Sequence, residues 1–298
     1  METQKRCCMG FTMVLNPARP PMAKLVGCYA AGHAPNIART WETMDRKDRA
    51  WLGEKFGELG KRVKAARPDV LIVHSTDHWC NFFLNNIPAF CVGIGDEHEG
   101  PPEPFMKPFF PQEIMRGHAG LGKHVLEHAF SSEFDPSYSM QLKLDHGMLV
   151  PVWQIGFETI PAIVPIYLNL VEKPFTTPLR CIKWGHMLRE AIESYPDDIR
   201  VAVIGTGGMS HSIGETTMGW VDEPFDHACI ELFVSASDEE LGARMDAMLK
   251  VTGNGGAEMR SWLCAHGAAG GKGFDLIGYT PMPDMLIGCG VAEWHLGA

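Results

Sequence analysis

No Cys-x-x-Cys pair occurs in the 298 residues, although there are nine cysteines, at positions 7, 8, 28, 80, 91, 181, 229, 264 and 289. An odd count without clustered spacing argues against a disulfide framework and against a thiolate zinc site. It fits a reducing, cytoplasmic setting in which thiols stay free. No apolar run approaches the roughly 20 residues needed to cross a bilayer, so a membrane span is not expected. Basic charge is short as well: 26 Lys and Arg face 36 Asp and Glu, a net charge of −10. A chain this acidic lacks the electrostatic footprint for a nucleic-acid backbone or an anionic membrane surface, and neither is expected as a partner. Internal repeats and low-complexity linkers are missing, and 45% hydrophobic with 21% charged residues excludes disorder or a collagen-like repeat.

Residues 1–21 stand apart. Lys5 and Arg6 before the run Cys7–Leu15 imitate a short signal peptide, but the small-x-small cleavage pattern is missing and Pro17, Pro20 and Pro21 follow at once. This stretch reads as a disordered tail or as sequence upstream of an alternative start at Met22, leaving 22–298 as one catalytic domain.

From Met22 onward, short β-rich runs alternate with longer helical patterns. Lys24–Ala30 reads as a first strand, and Val70–His74 as a strand buried on both faces. Between them, Arg46–Ala66 places Trp51, Leu52, Phe56, Leu59 and Val63 near a 3.6-residue period, which predicts an amphipathic helix stopped by Pro68. Further strands are expected at Ala89–Ile94, Ala162–Leu168 and Val201–Ile204 and near Met285–Gly288. Helices are expected at Gln112–Phe130, Pro178–Ser194, Phe225–Ser235, Asp238–Leu249 and Ala257–Ala265. The alternation predicts a single α/β domain, with a central mostly parallel or mixed sheet flanked by helices and a site at the carboxyl ends of the strands. Gly95–Pro111, with five prolines and no periodicity, reads as a lid, binding loop or subunit contact.

Thirteen histidines are present, and their placement matters more than their number. His33, His78 and His211 each follow the predicted carboxyl end of a strand, and His146 lies beside a probable one. In open α/β sheets, ligands bind in the crevice beyond those ends. Gly205, Gly207 and Gly208 adjoin His211 and allow close backbone approach to a ligand. Asp77 and Asp145 directly precede His78 and His146, where a carboxylate can fix the tautomer of a neighbouring imidazole. His124 and His128, four apart on a predicted helix, lack the glutamate of a metalloprotease motif and read as a solvated face. The other histidines read as caps or satisfied core groups.

The GTGGMSH run at 205–211, the DHG triplet at 145–147, the IVHSTDH stretch at 72–78 and GGAEMRSWL at 255–263 resemble the class III extradiol ring-cleavage dioxygenases, the family typified by the β subunit of protocatechuate 4,5-dioxygenase. The resemblance covers about Ala23 to Ala292. It implies one Fe(II) held by His33, His78 and Glu258, an acid–base histidine at His211, and a second histidine, His146, hydrogen-bonded to substrate and oxygen. Two imidazoles and a carboxylate are the donor set of non-haem Fe(II) oxygenases. Zinc or manganese would accept the same donors, so iron is implied by the resemblance. The implied reaction is extradiol cleavage of a catechol-type ring with incorporation of both atoms of O₂.

Pro283 and Asp284 occupy the positions where benzoate-cleaving relatives have a Ser-Asn pair that meets the substrate carboxylate. An aspartate there would repel a carboxylate, which favours a ring with a different substituent. Some relatives use a separate small helical subunit; this chain shows no fused equivalent, and a homodimer is expected. The competing readings are a zinc-dependent hydrolase on the same site and a non-catalytic metal-binding scaffold.

Overall fold

A computed structural model describes residues 22–297; the amino-terminal stretch discussed above lies outside the described residues. The chain runs β1 (Lys24–Ala31), α1 (Pro35–Arg39), α2 (Arg46–Ala66), β2 (Val70–Thr76), β3 (Phe90–Gly93), β4 (Glu97–Glu99), β5 (Ile114–Arg116), α3 (Ala119–Ser131), β6 (Ser137–Ser139) and α4 (His146–Ile155). It continues through β7 (Ala162–Leu168), α5 (Pro178–Ser194), β8 (Arg200–Thr206), α6 (Glu223–Ser235), α7 (Asp238–Met248), a 3₁₀ turn at Asn254–Glu258, α8 (Met259–Ala268), β9 (Phe274–Met282), a second 3₁₀ turn at Pro283–Met285, and β10 (Ile287–Trp294).

Eight strands form one sheet in the order β6-β3-β7-β2-β8-β1-β10-β9. The central strands β7, β2, β8 and β1 are mutually parallel, whereas β3 pairs antiparallel with β7, and β10 antiparallel with both β1 and β9. The sheet is therefore mixed. Its core strands are buried on both faces, which is why VLIVHST and AIVPIYL are near-continuous apolar runs. Alternate side chains feed two cores: Cys28, Ile72, Val164 and Val203 pack on the α5, α6, α7 and α8 side. Tyr29, Leu71, Ile163 and Ile204 pack on the α2 and α4 side.

Local signals account for most boundaries. Asp45 accepts a hydrogen bond from the Lys47 amide at 2.7 Å to start α2, and Arg67 ends it in the left-handed region with φ 46°. Three boundaries differ from expectation. Helix α3 begins at Ala119 rather than near Gln112, because Ile114–Arg116 pairs with Glu97–Glu99 inside the segment expected to be unstructured. Helix α4 was hidden by Pro151 in its interior. The last strand extends to Trp294, and its partner β9 carries no alternating burial to betray it. Among the described residues, no helix is long and apolar enough to cross a membrane, and the seven described cysteines are free thiols.

Candidate metal centre

Strands β2, β8 and β1 are neighbours in the sheet and run the same way, so their carboxyl ends emerge within roughly 10 Å of one another. His33 stands two residues beyond β1, His78 two beyond β2, and His211 five beyond β8. Glu258 ends the 3₁₀ turn that leads into α8, and α8 lies against β8 because Gly205 presents no Cβ to the Ser261 carbonyl. Gly207, at φ 154°, makes room in the same way for Glu258, whose Cβ lies 2.7 Å from where a Cβ of residue 207 would stand. The glycines of the GTGG run thus serve helix approach and carboxylate placement.

The four side chains meet. His33 Nε2 lies 3.2 Å from Glu258 Oε2, and His78 Nε2 and His211 Nε2 each lie 3.7 Å from Glu258 Oε1. One ligand atom from each of His33, His78 and Glu258 falls within 4.8 Å of the others. His146, the first residue of α4 rather than a strand neighbour, stacks its ring 4.0 Å from that of His78 and 5.8 Å from that of His33. His33, Glu258, His211 and His146 are all buried.

Hydrogen bonds set which nitrogen faces the shared point. Thr206 donates its hydroxyl to the His74 carbonyl at 3.1 Å, so its oxygen accepts from His33 Nδ1, also at 3.1 Å. Asp145 accepts from both the His78 amide and His78 Nδ1, at 2.8 and 3.1 Å. His211 Nδ1 donates to the Met209 carbonyl at 3.2 Å. In each ring Nδ1 is bound outward and Nε2 is the nitrogen left facing the Glu258 carboxylate, the atom through which an imidazole ligates a metal once that nitrogen has given up its proton. Glu258 Oε2 also accepts the Gly208 amide at 2.7 Å.

The electrostatics follow from this packing. Burial pushes the Asp145 carboxyl up, but the His78 charge and hydrogen bonds outweigh it and hold the group near 2. The counterpart, His78, is driven down by burial and up by Asp145 and Glu258, ending at about 10. Burial likewise raises Glu258, yet His33 and His211 hold it well below the usual carboxylate range. His211 is raised, because Glu258 overcomes its burial, whereas burial and the neighbouring His78 push His146 down to about 4. Trp79, directly after His78, sits at φ 61°, a costly conformation for a large side chain next to a functional group.

Two expectations fail in an informative way. The carboxylates do not serve their chain neighbours. Asp77 accepts from the amides of Cys80, Asn81 and Phe82 and shapes the loop after β2, while the His78 ring is held by Asp145. His146 is held by Glu103, at 2.7 Å from Nδ1. Pro283 and Asp284 are both exposed: Leu286 adopts a left-handed φ of 61°, which turns Met285 inward and leaves the preceding pair outside. Asp284 offers its backbone carbonyl to Asn36 at 3.3 Å and makes no hydrogen bond to the histidine cluster. The residue of this stretch that adjoins the site is Ile287, packed against Gly208 and Gly32.

Sequence reading also missed three supports. Thr206 lies inside the glycine run that drew attention for other reasons. Asp226 accepts from the Ser210 amide at 2.6 Å, the Ser210 hydroxyl at 2.9 Å and the Tyr279 hydroxyl at 2.8 Å, which pins the residue before His211. Glu103 comes from the proline-rich segment, where nothing in the pattern marks it. A surface cavity of about 380 Å³ lined by Phe109, Gln112, Met115 and Phe157 shares no residue with the histidine cluster.

Two imidazoles and a carboxylate converging at strand carboxyl ends, with further histidines beside them, match the donor set of mononuclear metal centres with nitrogen and oxygen ligands. Comparison with known proteins gives the family. Over residues 27–287 the chain matches the family described as the catalytic LigB subunit of aromatic ring-opening dioxygenase, and it belongs to that family. Similar proteins include gallate dioxygenase of Pseudomonas putida, 34% identical over 154 residues, which are 51% of this chain and 45% of that protein. The 2,3-dihydroxyphenylpropionate/2,3-dihydroxicinnamic acid 1,2-dioxygenase of Paraburkholderia phymatum is 24% identical over 287 residues, 79% of this chain and 87% of that one. The chain spans about half the length of several curated relatives it matches, including the gallate enzyme. An uncharacterized protein of Escherichia coli K12 shares the fold, with a TM-score of 0.58 and 14% identity over 90% of this chain and 99% of that one.

Proposed function

We propose that the protein is an Fe(II)-dependent extradiol dioxygenase that opens an aromatic ring bearing two adjacent hydroxyls. The observation that carries this reading is the inward Nε2 of His33 and of His78 meeting the Glu258 carboxylate within 4.8 Å. Each outer nitrogen is tied down by a protein oxygen, so these donors fit a divalent cation of intermediate hardness without rearrangement. The names of relatives such as gallate dioxygenase and 2,3-dihydroxyphenylpropionate/2,3-dihydroxicinnamic acid 1,2-dioxygenase support the substrate class. A ferrous ion held there supplies Lewis acidity and the electron exchange that lets dioxygen attack an aromatic ring.

The chain's own groups do the rest. His33, His78 and Glu258 hold the ion. His211 presents Nε2 beside Glu258 while its Nδ1 stays on the Met209 carbonyl, so Nε2 takes a hydroxyl proton from the diol and later returns it. His146, whose ring lies 4.0 Å from that of His78, hydrogen-bonds the substrate. Burial of these groups keeps bulk water from competing for the same protons.

The test is aerobic turnover of the Fe(II)-loaded protein against a panel of vicinal diols, including gallate-type, alkyl-substituted and uncharged rings. Oxygen uptake with a yellow ring-fission product is expected. Ester or amide hydrolysis without oxygen uptake would overturn the reading in favour of a zinc-type hydrolase on the same donors. Tight metal binding with neither activity would leave a scaffold.

A further inference from the structure

The reaction described above makes no use of Glu103, yet its carboxylate occupies a particular place. Asp145 is the residue at the amino-terminal cap of α4, where an aspartate ordinarily accepts a backbone amide of the first turn. It makes no such bond here: its Oδ2 accepts from the amide and Nδ1 of His78, and its Oδ1 meets no hydrogen-bond donor. Glu103 fills the vacancy from outside the helix: Oε1 accepts the His146 amide at 3.1 Å and lies 2.7 Å from His146 Nδ1. The oxygen that accepts the His146 amide also faces Nδ1, so Nδ1 is the donor to it and, in the neutral ring, the nitrogen across the ring keeps its lone pair.

The mount is rigid. Glu103 belongs to the segment that joins β4 to β5, and that segment is fastened to α4 and α1. Phe109 packs on Trp153 with centroids 3.9 Å apart, Phe105 lies 6.0 Å from the His146 ring, and the Arg39 guanidinium covers Phe105 at 4.4 Å. A carboxylate held this way selects one tautomer and one ring orientation.

We propose that Glu103 is the positioning residue for His146: it locks the Nδ1–H tautomer, so that Nε2 accepts a hydrogen bond from a substrate hydroxyl. The proposal rests on the dioxygenase reading for its consequence in turnover, but its structural half is independent of it. Because one oxygen makes both contacts, Glu103→Gln can present its amide oxygen in the same place, whereas Glu103→Ala cannot.

The first experiment is ¹⁵N NMR of histidine-labelled, metal-free protein. His146 is expected as the Nδ1–H tautomer in the parent and in E103Q, and as the other tautomer or a mixture in E103A; an unchanged Nδ1–H signal in E103A overturns the proposal. The second is a double-mutant cycle in kcat/KM. E103A is expected to lose about 10–100-fold with iron content intact, E103Q to stay within about threefold, and E103A to add nothing in an H146A background. Losses that multiply in the double variant overturn it, since Glu103 would then act by another route. A parent that turns over no diol rejects the dioxygenase reading and leaves the tautomer measurement to decide this one.

Discussion

Two histidine–carboxylate clusters among the described residues invite comparison, one at the strand ends and one on the α5–α7–α8 side, where only His266 is buried. On the α5–α7–α8 side, Asp238 accepts from His186 Nε2 at 2.6 Å and from His266 Nε2 at 3.3 Å, and Trp294 Nε1 donates to His266 Nδ1 at 3.0 Å. Both nitrogens of His266 are used within the protein. At the strand ends, His33 and His78 each have one nitrogen used and one pointing at a shared position. A buried histidine, aromatic neighbours and a carboxylate partner are common to both clusters. Two leftover nitrogens converging on one carboxylate separate them.

The largest effects should come from removing inward-facing donors. His33→Ala or Glu258→Ala is expected to abolish stoichiometric iron binding and, with it, turnover, read by metal analysis of the purified variants. His266→Ala should leave metal content and activity in place and lower stability by about 2–4 kcal/mol in chemical denaturation, because it opens a cavity and strands the Trp294 N–H. A His266 variant that loses iron would break the comparison. Next in size, His211→Ala should cost roughly 10²–10⁴-fold in turnover with iron retained, the mark of a proton-transfer group that is not a ligand. Parental turnover would remove His211 from that role.

How far the sequence revealed this site depends on the kind of residue. His33, His78 and His211 were legible because each follows a β-rich run, and a parallel sheet delivers its strand ends to one edge whatever the loops do. Glu258 was reached through the resemblance alone; nothing in the GGAE stretch says that a helix amino-terminus will carry it to β8. The supporting carboxylates were misassigned for a physical reason. Adjacent residues on a turn point apart, so Asp77 curls onto its own loop and Asp145, 67 residues from His78, supplies the bond instead. The fold followed the same division. Strands buried on both faces announce themselves, whereas the β4–β5 hairpin exists only through pairing across a proline-rich segment, and Pro151 disguised α4.

A smaller effect tests the support of the donors. Asp145→Asn removes the charge from His78 Nδ1 and lets the new amide donate where an acceptor is needed. Iron affinity is expected to fall about 10–100-fold while the fold persists, measured by competition with a chelator. Asp77→Asn, which touches only the loop at 80–82, should change iron affinity far less. Equal losses in the two variants would mean that loop order, rather than the bond to Nδ1, sets the site.

The smallest effect belongs to the other cluster and appears as a pH dependence. Hydrogen bonding from His266, against an opposing contribution from burial, together with His186, holds the Asp238 carboxyl at about 2. That lies below the value of about 3.9 for an aspartate in an unfolded chain. A depressed carboxyl stabilises the fold above the unfolded value, and the benefit drains away as pH falls through the folded one. Thermal unfolding of the metal-free protein between pH 5 and about 2 should therefore show a loss of stability that Asp238→Asn makes shallower, by an amount on the order of a few degrees at the midpoint. Metal-free protein is the right sample, since loss of a bound ion on acidification would otherwise hide the effect. An Asp238→Asn profile that runs parallel to the parent across the whole window would show that the His186–Asp238–His266 cluster is held by neutral hydrogen bonds and packing, with its charge contributing nothing.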